Sequence, residues 1–216
     1  MPITCDRLTI LPGQTLTIDA NWEEFNEILE ELGDKRSSRI TYNNGQLKIM
    51  VPLPEHEAKK CFLATFVEIL LDEFDLDFYP LGATTFRNLA MGQGVEPDHC
   101  FYIQNADAVR GKKRLDLTID PPPDLALEID LTSRSHPEIY AKLGVPELWQ
   151  YSQRGLEIRQ LDRANQTYIS TLTSQYFPGL DLVETLPLYL KRSETEKRKP
   201  LLKAFKTWVQ KQIPSD

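Results

Sequence analysis

Cysteine is scarce in this 216-residue chain: Cys5, Cys61 and Cys100 are scattered and odd in number. Without a CxxC pair or a regular spacing, a disulfide-stapled fold and a zinc ribbon are both excluded. Histidine is equally sparse, at His56, His99 and His136, and no HExxH suits a zinc site. Long hydrophobic runs are also missing. The longest mainly apolar stretch, Cys61 to Leu71, carries Glu68 and is too short to span a bilayer. The opening MPITCDRLTILPG shows no basic-then-apolar leader, so a cytoplasmic protein with no membrane partner is expected. Positive charge is not in excess, with 25 Lys+Arg against 32 Asp+Glu and a formal net charge of -7. Such a chain does not coat nucleic acid indiscriminately, because that binding runs on phosphate neutralisation. A local basic patch remains compatible with it. Gly92-Gln93-Gly94 lacks the third glycine of a dinucleotide loop, and neither a Walker A motif nor a GxSxG elbow occurs.

What is present is an ordinary globular composition, 41% hydrophobic and 26% charged. A chain of this size can bury about 70% of its unfolded surface, so one domain over residues 1–216 is the expectation. NWEEFNEILEELG reads as a helix opening at Asp19 or Asn21 and stopping at Gly33. RITYNNGQLKIM reads as two strands around the turn Asn43-Asn44-Gly45, closing an N-terminal part at about residue 52. A helix from Pro54 to about Phe74 is apolar on more than one side and should be buried. Strand-like runs follow at 77–81, 84–87, 97–103, 125–131, 147–151, 156–161 and 167–172, with a short helix at 138–143. From Lys191 onward eight Lys/Arg face three Asp/Glu, a balance of +5, which leaves -12 for residues 1–190. This end reads as a loop around Pro200 and then an amphipathic helix with Leu201, Leu202, Phe205, Trp208 and Val209 on one stripe. The stripe suits a docking helix with a solvated basic face, with DNA contact as the alternative. The order of elements predicts an α/β or α+β fold built on a mixed central sheet.

Chemistry concentrates in PPPDLALEIDLTSRS. On a strand Leu125, Leu127, Ile129 and Leu131 share one face, and Ala126, Glu128 and Asp130 share the other. Two acids on one partly buried face repel and pay desolvation, and a divalent cation would relieve both costs. The alternative is a solvated edge strand whose outer face carries both acids harmlessly. In GVEPDHCFYI, Asp98 at the start of another strand supplies a further acid. Tyr102, Phe101, Tyr151 and Trp149 fall in strands and read as core residues, not as base-stacking platforms.

These segments resemble a known family. Pro97-Asp98 with Cys100 to Ile103, Pro122 to Ser133 and IYAKLGVPELWQY (Ile139 to Tyr151) look like the bacterial putative restriction endonucleases of the PD-(D/E)XK nuclease superfamily. Thr84–Phe86, Gly13 to Phe25 and Arg39 to Glu57 are similar to it too. The resemblance implies a restriction-endonuclease-like fold, a mixed central sheet flanked by helices, and metal-dependent cleavage of DNA. It implies Asp98 and Glu128 as the two motif acids, which with the Ile129 carbonyl would hold Mg²⁺ or Mn²⁺. Glu57 would add an acid from the first buried helix, although helix-dipole complementation explains it equally well. Asp130 stands where the superfamily writes a lysine and cannot supply its positive charge. Lys142 is the candidate for a migrated lysine, or else a plain surface residue. RSHPE fills the place where relatives often carry another lysine, with His136 the sole substitute there. A homodimer acting on DNA is expected. The rival expectation is a non-catalytic DNA-binding or interaction protein, or a mobile-element accessory, on a degenerate nuclease fold.

Overall fold

Asn44 and Gly45 both take positive φ, at 47° and 92°. This is the turn geometry whose twist matches the two strands of a hairpin. It joins β2 (Arg39–Asn43) to β3 (Gln46–Met50) with Asn43 opposite Gln46. β1 (Thr15–Asp19) pairs with β3, while β6 (Gln93–Val95) and then β5 (Phe86–Asn88) extend the other side. The result is a five-stranded antiparallel sheet in the order β1-β3-β2-β6-β5. Across one face lies α1 (Trp22–Leu32), started by a capping box between Asn21 and Glu24 and ended at Gly33. Its Phe25 is buried and stacks on Tyr42 with ring centroids 4.8 Å apart. Ile40, Tyr42, Leu47 and Ile49 fill that face. By strand alternation Arg39, Thr41, Lys48 and Met50 point the other way. The computed structural model describes residues 9–33, 36–88, 92–131 and 135–213.

A second sheet holds six strands. They are β4 (Tyr79–Pro80), β7 (His99–Tyr102), β8 (Leu125–Asp130), β9 (Glu147–Ser152), β10 (Gly155–Asp162) and β11 (Thr167–Thr171). Their order is β11-β10-β9-β8-β7-β4, and only β8 and β9 are parallel. A parallel pair needs a crossover, supplied here by α4 (Pro137–Leu143). One face packs under α2 (Pro54–Glu73), α5 (Leu182–Arg192) and α6 (Arg198–Gln212), through residues such as Phe66, Leu127, Trp149 and Phe205. The other face packs Ala126, Tyr102 and Leu148 against Ile139 and Tyr140 of α4, beside the short α3 (Ala106–Val109).

The mixed sheet flanked by helices is the expected fold class, and the antiparallel sheet built on the hairpin adds to it. The edge-strand alternative for Glu128 and Asp130 is overturned: β8 lies in the interior of its sheet, and residues 125–129 are all buried. Pro200 is not in a loop. It lies in the first turn of α6, where a missing N–H costs nothing because that turn has no intrahelical acceptor for it. β1, β6, α3 and α5 are the elements without a sequence forecast. Tyr102, Phe101, Tyr151 and Trp149 are core residues, as their pattern indicates.

Candidate active site

Antiparallel register sets the centre of the site. His99 pairs with Leu127 and Cys100 with Ala126. Continued by one residue, the same register puts Asp98 directly opposite Glu128, on the face covered by α4. The backbone N–H of Ile129 donates to Asp98 Oδ2 at 2.8 Å and fixes the carboxylate there. Both acids are buried, at 3% and 8% exposure. Burial pushes the Glu128 carboxyl well above its ordinary range. The Asp98 charge adds to this, and the two carboxyl groups meet closely enough to share a hydrogen bond. The Tyr140 hydroxyl donates to Glu128 Oε1 and works in the opposite direction. Tyr140 itself stays protonated, because burial and Glu128 hold its phenol up.

Two further elements close over the pair. From the N-terminus of α2, buried His56 places Nε2 3.1 Å from Asp98 Oδ2 and Nδ1 3.6 Å from Glu57 Oε1. Burial pulls the imidazole pKa down, but contact with these two acids outweighs it and pushes it up to about 9. Glu57 is held down to about 2, first by His56, against the opposing effect of burial, and then by Lys60 and Arg39. From the hairpin, Arg39 reaches Asp98 Oδ1 (3.5 Å), Glu96 (3.4 Å) and Glu57 (3.4 Å). Arg36 also pairs with buried Glu96, at 2.5 Å. Burial raises the Glu96 carboxyl, and the two arginines oppose it.

A cavity of about 40 Å³ remains at the centre, with Arg39, Lys48, His56, Asp98, Glu128 and Asp130 among its walls. Lys48 Nζ lies 3.0 Å from His136 Nε2, and His136 Nδ1 lies 2.9 Å from Glu138. A lysine ammonium only donates, so Nε2 accepts and Nδ1 carries the ring proton toward Glu138. Asp130 accepts from the Ser135 N–H (2.9 Å), the Ser135 hydroxyl (3.0 Å) and the Gln150 amide (3.2 Å). Burial raises its carboxyl while the Ser135 bonds lower it.

The structure thus brings Asp98, Glu128 and the Ile129 backbone together, with Asp130 on the same cavity wall. Glu57 joins through His56 and Arg39. Lys142 does not join. It is exposed on α4 and forms no ion pair among the described residues, whereas Tyr140 of the same helix turns inward. Part of the Pro122–Ser133 motif, residues 132 and 133, lies outside the described residues. Sequence reasoning missed Arg39, Lys48, His56 and Tyr140 as members. The signal for two of them was available: Arg39 and Lys48 lie on the hairpin face opposite its apolar one.

A family model described as "Uma2: Putative restriction endonuclease" matches residues 22–193. The chain belongs to the Uma2 family. The matched span contains every residue of the candidate site. Among solved structures, a putative nuclease belonging to DUF820 from Anabaena variabilis is similar, with a TM-score of 0.53 and 12% identity. The match covers 88% of this chain and 99% of that one. At that identity the likeness speaks for the nuclease-like fold alone. A comparison with curated proteins gives no match. No helix of the described residues is long and apolar enough to cross a membrane.

Proposed function

We propose that this Uma2 member is a Mg²⁺-dependent endonuclease that hydrolyses DNA phosphodiester bonds, with Mn²⁺ as a substitute cation. One observation carries the reading. Asp98 and Glu128 face each other from adjacent antiparallel strands in a buried pocket, where two negative charges are costly without a cation. The donor set fits a hard ion that keeps most of its water: two carboxylates, with the Ile129 carbonyl beside them. No group of three acidic, histidine or cysteine side chains among the described residues forms a ready cage, so solvent and substrate oxygens would complete the shell. When bound, such an ion polarises a phosphoryl oxygen and lowers the pKa of a coordinated water.

The protein's own groups then have separate tasks. Ile129 N–H and His56 hold Asp98, and Tyr140 holds Glu128. Glu57 stays an outer acid that keeps His56 charged. Lys48 brings to the cavity the positive charge that Asp130 cannot bring, and His136 and Glu138 hold it there. Asp130, braced by Ser135 and Gln150, positions water. Cutting both strands calls for two copies, so a cytoplasmic homodimer belongs to the same proposal.

A second reading has its own observation. Asp98 already meets the cations His56 and Arg39 inside the protein, which suits a non-catalytic DNA-binding or interaction protein. Nicking of supercoiled plasmid with Mg²⁺, Mn²⁺ or EDTA separates the two. The nuclease reading expects metal-dependent nicking that Asp98→Asn reduces by orders of magnitude. Equal nicking by that variant would show the site is wrong, and binding without cleavage under any metal would favour the second reading.

A further inference from the structure

We infer that the exposed face of α6 is a docking surface for the phosphate backbone of duplex DNA flanking the cut. The inference rests on the DNA substrate proposed above. Its basis is a segregation of charge: residues from 191 onward carry +5 against -12 in the rest of the chain. The fold gathers most of that excess on one helix. Lys199, Lys203 and Lys211 recur at multiples of four residues, so they follow one inclined stripe that winds about 120° around the helix opposite its buried face, and all three are exposed. None of them pairs with a carboxylate among the described residues. Three neighbouring bases are already engaged: Lys206 with Glu73 at 2.7 Å, Arg192 with Glu196 at 2.7 Å, and Arg198 with the Thr65 hydroxyl at 3.2 Å. On α2, Glu68 lies within electrostatic reach of Arg198 and Asp72 of Lys206. The stripe runs about 18 Å at 1.5 Å per residue, or about five nucleotides of one strand at 3.4 Å each.

Packing decides the class of partner. A helix that lies on a membrane must offer an apolar face to the lipid. Leu201, Phe205 and Val209 of α6 are fully buried in the core, and Trp208 packs against it, so only charge is on offer. Placement relates the stripe to the site. α6 runs beside α2 in the same direction, with Arg198 at Thr65 and Lys206 at Glu73. Thr65 lies nine residues from His56, a rise of about 14 Å along α2. The lysines therefore begin a few base pairs from the carboxylates and lead away from them.

Binding of a fluorescent 30-base-pair duplex, followed by anisotropy in EDTA across a salt series, tests this without any cleavage. The triple variant Lys199→Gln, Lys203→Gln, Lys211→Gln should lower the slope of log affinity against log salt by about 2.7, at about 0.9 per lost phosphate contact. The matching Lys→Arg triple should keep the parent slope. A control triple at other exposed positions, Lys113→Gln, Arg114→Gln and Arg163→Gln, should change it by less than one contact's worth. The inference is overturned if the α6 Gln triple keeps the parent slope or the control loses as much. It is equally overturned if the Arg triple fails like the Gln triple, or if the parent binds anionic vesicles and not the duplex. Parent nicking in Mg²⁺ is scored separately. A parent that never nicks yet shows the slope change loses the nuclease reading alone, and one that nicks without the slope change loses the α6 surface alone.

Discussion

Between Asp98 and Glu57, His56 is a buried imidazole with an acid near each nitrogen. Its pKa of about 9 against 6.5 when unfolded fixes a pH signature. Below pH 6.5 both states hold the proton and the full stabilisation is present. Between 6.5 and 9 only the folded state holds it, so stability falls as pH rises, and above 9 the contribution is gone. The shift corresponds to something on the order of 3 kcal/mol, at 1.36 kcal/mol per unit. Between pH 6 and pH 9.5 in EDTA, thermal melts should show the parent losing more stability than His56→Gln by much of that amount, because any loss from Glu128 is common to both. An equal loss in both proteins would assign the pH dependence elsewhere. Tyr140→Phe tests the other acid. Removing the hydroxyl leaves buried Glu128 without its donor and should cost about 1–3 kcal/mol in denaturant melts. Asp98 and Glu128 were legible in sequence because acids interrupt an apolar strand pattern. Their companions were not, because Arg39, Lys48 and His56 arrive from elements 40 to 90 residues away, and only the meeting of the two sheets joins them.

The elements most readable from sequence are those whose stop and start signals are local. Asn21 and Glu24 cap α1, Asn44-Gly45 turns the hairpin, and Pro54 opens α2. The elements that escaped carry weak or contrary local signals. α5 contains Pro187, which reads as a helix breaker but is tolerated on a helix anchored by buried Leu182, Leu186 and Leu190. β6 is only Gln93-Gly94-Val95, and its place between β2 and β5 is set by long-range pairing. Gly94 shows what that pairing demands. A Cβ there would sit 2.9 Å from Phe25 Cζ, and Phe25 cannot swing away because it stacks on Tyr42. Gly94→Ala should therefore loosen α1 from its sheet at a cost of about 1–3 kcal/mol, the usual range for overpacking. Chemical denaturation measures the loss. A neutral result would mean that α1 re-seats freely, contrary to its buried aromatic contact.

At the scale of the whole molecule, two layers of opposite character meet at the carboxylates. The antiparallel sheet contributes cations, Arg39 and Lys48, and the mixed sheet contributes acids, Asp98, Glu128 and Asp130. Without a bound cation a charged Glu128 is costly, since burial and Asp98 both favour its neutral form against the Tyr140 hydrogen bond. A carboxyl raised in the folded state stabilises at low pH and loses that stabilisation as pH rises through its folded pKa. In EDTA at pH 8, then, Glu128→Gln should melt higher than the parent, because the amide bears no charge to bury. Divalent metal should reverse the ranking. An ion held only by the folded state stabilises it by about 2.7 kcal/mol at a hundredfold excess over Kd, which for a domain of this length is roughly 5–10 °C. Mg²⁺ or Mn²⁺ should raise the parent melting temperature by that order and leave Asp98→Asn and Glu128→Gln unmoved. This readout needs no cleavage. A parent that gains nothing from either metal, alongside a stabilised Glu128→Gln, would mean that His56 and Arg39 have taken the cation's place for good and that the fold serves binding alone.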